Sequence, residues 1–212
     1  MENIFVFSAH PDDEVLGAGG TIAKLSIEGK KIYVFIFSHG DKFPPTKESE
    51  KLSRIRKKES LEADKVLGVK KTFFLGLKDT TITKHIKDKE LIRKLSNYID
   101  KYKPKSIFVH SKNDTHPDHI AVNIIVKKAV DMSKYKPPIL TYEVSSILNI
   151  FGRNKPCIVI DISKTFKIKK KAIKKFKSQW GLIKFLFPFL SLKSKIIGRK
   201  YKFKYGEKFF IE

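Results

Sequence analysis

The sequence alternates between short runs typical of β-strands and longer segments with helical spacing, and this alternation most restricts the fold. Strand-like runs rich in β-branched and aromatic residues occur at residues 3–8, 31–38, 72–75, 106–110, 139–143 and 157–162. Amphipathic segments fall between or after them, at residues 16–28, 47–67, 90–102, 118–132 and 163–179. Such alternation predicts an α/β fold, a Rossmann-like three-layer sandwich with a mostly parallel twisted sheet.

Length and composition favour a single domain that spans residues 1–212. Of its residues, 41% are hydrophobic and 17 are Phe. This composition excludes an intrinsically disordered chain and supplies enough apolar side chains for one core. Cys157 is the single cysteine, so a disulfide scaffold and a multi-cysteine metal site are excluded. The first residues lack a secretory pattern, and no apolar run reaches the ~20 residues of a transmembrane helix. We therefore expect a cytoplasmic location.

The positive charge is concentrated near the end of the chain. Residues 164–204, here called the basic segment, hold 15 Lys or Arg and no Asp or Glu, within a formal net charge of +23. The segment includes an apolar, aromatic block at residues 180–192, in which Pro188 is expected to interrupt any helix.

Three interpretations of the basic segment compete. It could anchor the protein peripherally to an anionic membrane at its inner face. It could instead pack on the protein itself or on a second copy in a homo-oligomer. Nucleic-acid binding ranks third, because no recognised motif is present and the aromatics form one block rather than alternating with cations.

Two polar motifs directly follow strand-like runs. Residues 8–14 read Ser-Ala-His-Pro-Asp-Asp-Glu after the first run, and residues 114–119 read Asp-Thr-His-Pro-Asp-His after the run at 106–110. In an open α/β sheet, ligands bind beyond the carboxyl ends of the strands. The two motifs are therefore expected to converge, although more than a hundred residues separate them.

His10, Asp13 and His119 offer two imidazoles and one carboxylate to a metal. Catalytic zinc typically has three protein ligands and one open position, which makes Zn²⁺ the preferred ion. Magnesium and calcium would favour oxygen ligands, whereas Fe²⁺ or another divalent transition metal remains open.

The same motifs supply groups for proton transfer. Asp12 lies next to a proposed ligand and is free to take a proton, and His116 precedes His119 by three residues. Asp118 can orient the ring of His116 by a hydrogen bond. Together these groups predict metal-assisted hydrolysis.

The glycines at positions 17, 19 and 20 follow a strand and open a helix, as in a dinucleotide-binding loop. Their spacing is not Gly-x-Gly-x-x-Gly, and a pyrophosphate would meet the acidic groups of residues 12–14. We interpret the glycines as close helix–strand packing beside the metal loop.

The paired motifs resemble the LmbE/PIG-L family of zinc-dependent N-acetylglucosamine de-N-acetylases. Further similarity lies in the Arg-Lys-Lys-Glu helix at 56–59, the Leu-Gly pair at 75–76, the Ser-Gln pair at 178–179 and the Tyr-Gly-Glu-Lys-Phe element at 205–209. One departure is visible, because many members carry a His where this chain has Phe176.

The resemblance implies zinc-dependent removal of the acetyl group from an N-acetylglucosamine-type conjugate, which is lipid-linked in some members, with release of acetate. By this resemblance, zinc is bound by His10, Asp13 and His119. Asp12 is the general base, and His116, oriented by Asp118, is the general acid or the oxyanion stabiliser. The sugar is contacted by Arg56 and Asp79. The alternative of another class is a non-catalytic protein that binds sugars or anionic membranes and retains the fold.

Overall fold

The computed structural model describes residues 1–41, 49–145 and 156–212. Its strands are β1 (Asn3–Ser8), β2 (Lys31–Ser38), β3 (Lys71–Leu77), β4 (Ser106–His110), β5 (Ile139–Tyr142), β6 (Cys157–Asp161) and β7 (Gly206–Ile211). Its helices are α1 (Asp13–Ile27), α2 (Ser49–Leu67), α3 (Lys89–Tyr102), α4 (Pro117–Met132), α5 (Phe166–Ile173) and α6 (Trp180–Lys200). A 3₁₀ turn at Ile82–His85 precedes α3.

The described strands form one sheet in the order β3-β2-β1-β4-β5-β7-β6. The pairs from β3 to β5 are parallel, whereas β7 runs antiparallel between β5 and β6. The prediction of a mostly parallel α/β sheet is therefore confirmed. Parallel pairing brings the carboxyl ends of β1, β4 and β5 to one edge of the sheet, where both polar motifs begin.

Alternation along the strands divides the core into two layers. Ile4 and Val6 of β1 face a cluster shared with α1, α2, α5 and α6, while Phe5 and Phe7 face one shared with α3 and α4. Because strand side chains alternate between faces, an uninterrupted apolar strand requires apolar cover on both sides. The helices supply that cover, which gives the expected three-layer sandwich.

The glycines of α1 allow close packing, as the sequence predicted. A Cβ at Gly17 would lie 2.3 Å from the ring of Tyr142, and one at Gly20 would lie 2.7 Å from Ile162. The hydroxyl of Tyr142 donates to the carbonyl oxygen of Phe7 at 2.8 Å. This contact ties β5 to β1 beneath the motif at 8–14.

The end of the chain differs from the sequence-based expectation. The helix expected to reach residue 179 ends at Ile173, and α6 then continues through Pro188 without interruption. An internal proline costs roughly 3 kcal/mol. Pro188 is on the exposed side, whereas Ile183, Leu190 and Ile197 are buried, and each buried aliphatic side chain contributes roughly 1.5–3 kcal/mol. Packing therefore outweighs the proline.

Strand β7 was not predicted as a strand, because residues 206–211 begin Gly-Glu-Lys and lack a continuous apolar run or a strict alternation. The predicted start of the second helix at residue 47 lies outside the described residues. Among the helices within the described ranges, α6 included, none is long and apolar enough to cross a membrane.

Candidate active site

The motif at residues 8–14 forms a tight, buried connection between β1 and α1. Asp12 adopts a φ of 124°, a backbone conformation that side-chain-bearing residues rarely adopt and that is costly outside functional sites. Glu14 supports this connection, because its Oε2 accepts hydrogen bonds from the Ser8 hydroxyl and the Asp12 N–H. The Asp12 and Asp13 side chains are both buried, and they contact different partners: Asp12 Oδ2 lies against Arg56, and Asp13 Oδ2 lies against His10.

Three imidazoles converge on one carboxylate oxygen. Asp13 Oδ2 lies 3.2 Å from His10 Nδ1, 3.2 Å from His119 Nε2 and 3.3 Å from His110 Nε2. The motifs at 8–14 and 114–119 thus meet as the sequence predicted. Potential ligand atoms of His10, Asp13 and His119 all lie within 4.8 Å of one another.

The donor set fits a divalent transition metal. His10 Nε2 is buried without a hydrogen-bond partner, and it lies 3.0 Å from Asp79 Oδ1 and 3.5 Å from Asp118 Oδ2. Burial alone would lower the pKa of His10, but Asp118, Asp13 and Asp79 outweigh it and hold that pKa well above its usual range. This surplus of acidic groups around the imidazole nitrogens favours a bound cation.

Sequence reasoning did not identify His110 and Asp114, which complete the cluster. Asp114 Oδ1 lies 3.2 Å from His119 Nδ1, and its Oδ2 accepts from the N–H groups of Val144 and Ser145. A carboxylate on one ring nitrogen leaves the other nitrogen of a His directed at a metal. Burial opposes ionisation of Asp114, but His119 outweighs it and lowers the pKa of this carboxyl.

His110, the last residue of β4, packs against the cluster. Its ring stacks on that of His119 at 3.9 Å, and its Nε2 accepts a hydrogen bond from the Ala9 N–H. Burial, reinforced by the nearby charge of His119, lowers the pKa of His110 to about 4. The neutral ring is thus a structural support, and its position as the last residue of a strand ending at the site is the signal that could have identified it.

His116 lies at the N-terminus of α4, half-buried against His10 and His119 at ring distances of 4.9 and 4.6 Å. Its Nδ1 accepts from the backbone N–H of Asp118 at 3.2 Å, which leaves the ring proton of the neutral form on Nε2. The predicted orientation of His116 by residue 118 thus comes from the backbone. The Asp118 carboxylate faces His10 instead.

The sequence suggested that the carboxylate of Asp12 is free. In the structure it is instead paired with Arg56. Arg56 Nη2 lies 3.1 Å from Asp12 Oδ2 and also donates to the carbonyl oxygen of Pro11, while Nη1 donates to the carbonyl oxygen of Gly40. Burial raises the pKa of Asp12 to about 7, although Arg56 opposes that shift. A carboxyl poised near neutrality suits a general base.

The two residues expected to contact the sugar both lie at the site, but their side chains are buried. Arg56 and Asp79 are both buried, the former against Asp12 and the latter against His10. These contacts place both side chains around the proposed base and a proposed metal ligand. Their contact with a sugar stays a prediction.

Comparisons with known proteins agree with this geometry. The sequence pattern of the family described as PIG-L: GlcNAc-PI de-N-acetylase matches residues 5–130, more than half of the chain. A probable N-acetyl-alpha-D-glucosaminyl L-malate deacetylase 2 of Bacillus cereus is 29% identical over 188 residues, covering 84% of this chain and 83% of that protein.

Solved structures reproduce the fold. The N,N'-diacetylchitobiose deacetylase of Pyrococcus horikoshii has a TM-score of 0.85 and 26% identity, over 100% of this chain and 84% of that one. The 4-carboxy-2-hydroxymuconate hydratase of Pseudomonas putida also has a TM-score of 0.85, at 22% identity over 100% of this chain and 96% of that one, so it matches in fold alone.

The family match extends through both polar motifs, from residue 5 in β1 to residue 130 in α4. It confirms the resemblance found in the sequence and, with the deacetylases among the similar proteins, the prediction of an amide hydrolase. The chain belongs to the PIG-L family of de-N-acetylases.

Proposed function

We propose that the protein is a zinc-dependent deacetylase that hydrolyses the N-acetyl group of an N-acetylglucosamine-type sugar conjugate, releasing acetate and the free amine. The observation that carries this proposal is the convergence of His10, His110 and His119 on Asp13 Oδ2, beside the buried Asp12–Arg56 pair. The names of the deacetylases that the chain resembles support the substrate class.

His10, Asp13 and His119 would hold the metal, with Asp114 fixing the ring of His119. Bound zinc supplies Lewis acidity toward the acetyl carbonyl and lowers the pKa of water to about 7. The remaining chemistry falls to side chains of this chain.

Asp12 takes a proton from the attacking water and later delivers it to the departing amine. Arg56 holds the Asp12 carboxylate in place by the 3.1 Å contact and counters its burial. His116 donates from Nε2 to the negative charge that develops on the acetyl oxygen, with its ring held by the Asp118 N–H. Removal of one such donor typically lowers turnover by on the order of 10²–10³.

The finer parts of this function are proposals as well. They are zinc as the native metal, one catalytic domain over residues 1–212, sugar contacts from Arg56 and Asp79, and a cytoplasmic location at the inner face of a membrane. Attachment of the substrate to a lipid and assembly into a homo-oligomer belong with them.

The test combines metal content with acetate release from N-acetylglucosamine conjugates. We expect one zinc per chain and turnover in the loaded enzyme. The Asp12→Asn variant should retain the metal and lose turnover by about 10²-fold or more, whereas His119→Ala should lose metal affinity. His85→Ala is the matched control, since His85 pairs with Asp88 away from the cluster.

The rival class, a non-catalytic binding protein, predicts that metal-loaded protein binds an N-acetylated sugar without releasing acetate. Native turnover in Asp12→Asn would refute the assignment of the base. Full metal binding by His119→Ala would refute the proposed ligand set.

A further inference from the structure

Helix α6 carries a second apolar face that no described element covers. Leu182, Phe185, Phe189 and Leu192, here called the α6 stripe, are exposed by 40%, 65%, 57% and 53%. Their spacing of three and four residues places them along one side of the helix. Single exposed apolar residues are common, but four consecutive ones along one helix face form a patch typical of an interaction surface.

The cations beside the stripe indicate the charge of the partner. Lys184, Lys195, Arg199 and Lys200 are exposed on α6, and Lys184 Nζ lies 5.2 Å from the centre of the Phe185 ring. Lysines can lay their apolar stems along such a surface while the ammonium group reaches polar headgroups. The partner must therefore accept apolar side chains and carry negative charge at the same place.

An anionic bilayer surface meets both requirements. A second copy of this chain would bring two acid-free basic segments into contact, which costs electrostatic energy. Nucleic acid supplies negative charge but no apolar layer for Leu182 and Leu192. An amphipathic helix with a cationic flank characteristically lies in the plane of the bilayer interface, which is consistent with a helix unable to span it.

Contacts of α6 connect this face to the rim of the active site. Just before the helix, the N–H and hydroxyl of Ser178 donate to the Glu59 carboxylate, and Glu59 lies one turn after Arg56 on α2. Farther along, Leu190 of α6 borders a small cavity together with Gly17 and Tyr142. The segment that leads into α6 therefore contacts α2, and α6 itself packs on β7 and β6.

We infer that α6 docks in the plane of an anionic membrane surface through the α6 stripe, with the flanking cations on lipid headgroups. This inference goes beyond the proposed chemistry and does not depend on it. Docking would hold the site near the headgroups through the contact of Ser178 with Glu59 on α2.

Vesicle flotation is the direct measurement, because the single tryptophan, Trp180, is 42% exposed but lies by helical spacing on the side of α6 away from the stripe. Metal-loaded full-length protein is mixed with vesicles of phosphatidylcholine, alone or with phosphatidylglycerol. We expect flotation with the anionic vesicles and much weaker binding to the neutral ones.

Two variants test the two components of the surface. Phe185→Ser with Phe189→Ser should weaken binding to anionic vesicles by tenfold or more, and Lys184→Gln with Lys195→Gln should reduce the preference for anionic lipid by about tenfold. Ile27→Ser with Leu61→Ser is the matched control, because these residues are exposed apolar side chains away from α6, and it should bind like the parent.

Absence of flotation with anionic vesicles would overturn the inference, as would unchanged binding of the Phe185→Ser, Phe189→Ser variant. A dimer in light scattering that this variant dissociates, without vesicle binding, would assign the stripe to self-association. Salt-sensitive binding of duplex DNA without vesicle binding would assign the cations to nucleic acid. Acetate release is measured separately, so failure of docking leaves the proposed chemistry intact and failure of the chemistry leaves docking intact.

Discussion

The guanidinium of Arg56 lies 3.1 Å from Asp12 Oδ2, and both side chains are buried beside the candidate metal cluster. This pair links α2 to the loop that carries a proposed metal ligand. Since Asp13 follows Asp12 directly, the same turn of backbone positions a ligand and the proposed base. The contact makes Arg56 a positioning residue for the chemistry.

Replacement of Arg56 by Met should lower kcat for acetate release by about 10²-fold while zinc content stays near one per chain. The reason is that Asp12 loses both its charge partner and its fixed orientation, and small misplacements of a catalytic group can cost about that much. Arg54→Met is the control, because Arg54 is exposed and, within the described residues, pairs with Glu50 at 3.6 Å. Equal activity of the Arg56 and Arg54 variants would contradict the positioning role.

Replacement of Asp114 by Asn should weaken zinc affinity by about 10–100-fold, as measured by competition with a chelator. Asp114 Oδ1 lies 3.2 Å from His119 Nδ1, and such outer partners orient the ring and increase its basicity toward metal. Asp131→Asn, an exposed position near the end of α4, should leave the affinity unchanged. If both variants bind zinc like the parent, Asp114 does not orient the ligand.

Replacement of Glu207 by Gln should lower the free energy of unfolding by roughly 3–5 kcal/mol in urea titrations followed by circular dichroism. Glu207 Oε1 accepts from Lys169 Nζ at 2.6 Å in a fully buried pair, and its carboxylate also accepts from the N–H groups of Gly20 and Thr21. The variant leaves the Lys169 charge buried with weaker compensation.

Glu62→Gln is the matched comparison, because the Glu62–Lys175 pair is separated by 3.6 Å and its side chains are 47% and 40% exposed. An exposed pair contributes about 0–1 kcal/mol. A loss of similar size in the two variants would show that burial does not set the contribution of the Glu207 pair.

Replacement of Asp64 by Asn should flatten the pH dependence of stability between about pH 4 and 7. Burial raises the pKa of Asp64 to about 7, although a hydrogen bond from Thr72 opposes the shift. The folded state therefore binds this proton more tightly than the unfolded state, so its stabilising contribution is full below the unfolded pKa and is lost as pH rises through about 7.

One such proton corresponds to a slope of up to about 1.4 kcal/mol per pH unit. The measurement is the free energy of unfolding at several pH values, with Asp131→Asn as an exposed aspartate control. A slope in Asp64→Asn equal to that of the parent would mean that the pKa of Asp64 is the same in the folded and the unfolded protein.

Local pattern was sufficient for most of the fold. The predicted strands at 3–8, 31–38 and 106–110 coincide with β1, β2 and β4, because each is an apolar run bounded by polar or turn residues. The βα alternation then required parallel pairing, and parallel pairing required both polar motifs to lie at one edge. The sequence therefore sufficed to predict, from their positions after strands, that His10, Asp13 and His119 lie close together.

Contacts between distant segments depended on the tertiary structure. No periodicity indicates that Arg56 reaches Asp12, that Asp114 supports His119, or that Glu207 on β7 pairs with Lys169. Those pairs form because helices and strands approach in space, and burial then makes an ion pair preferable to an isolated charge. The same holds for α6, where packing of its buried face outweighs the internal proline that local rules treat as a break.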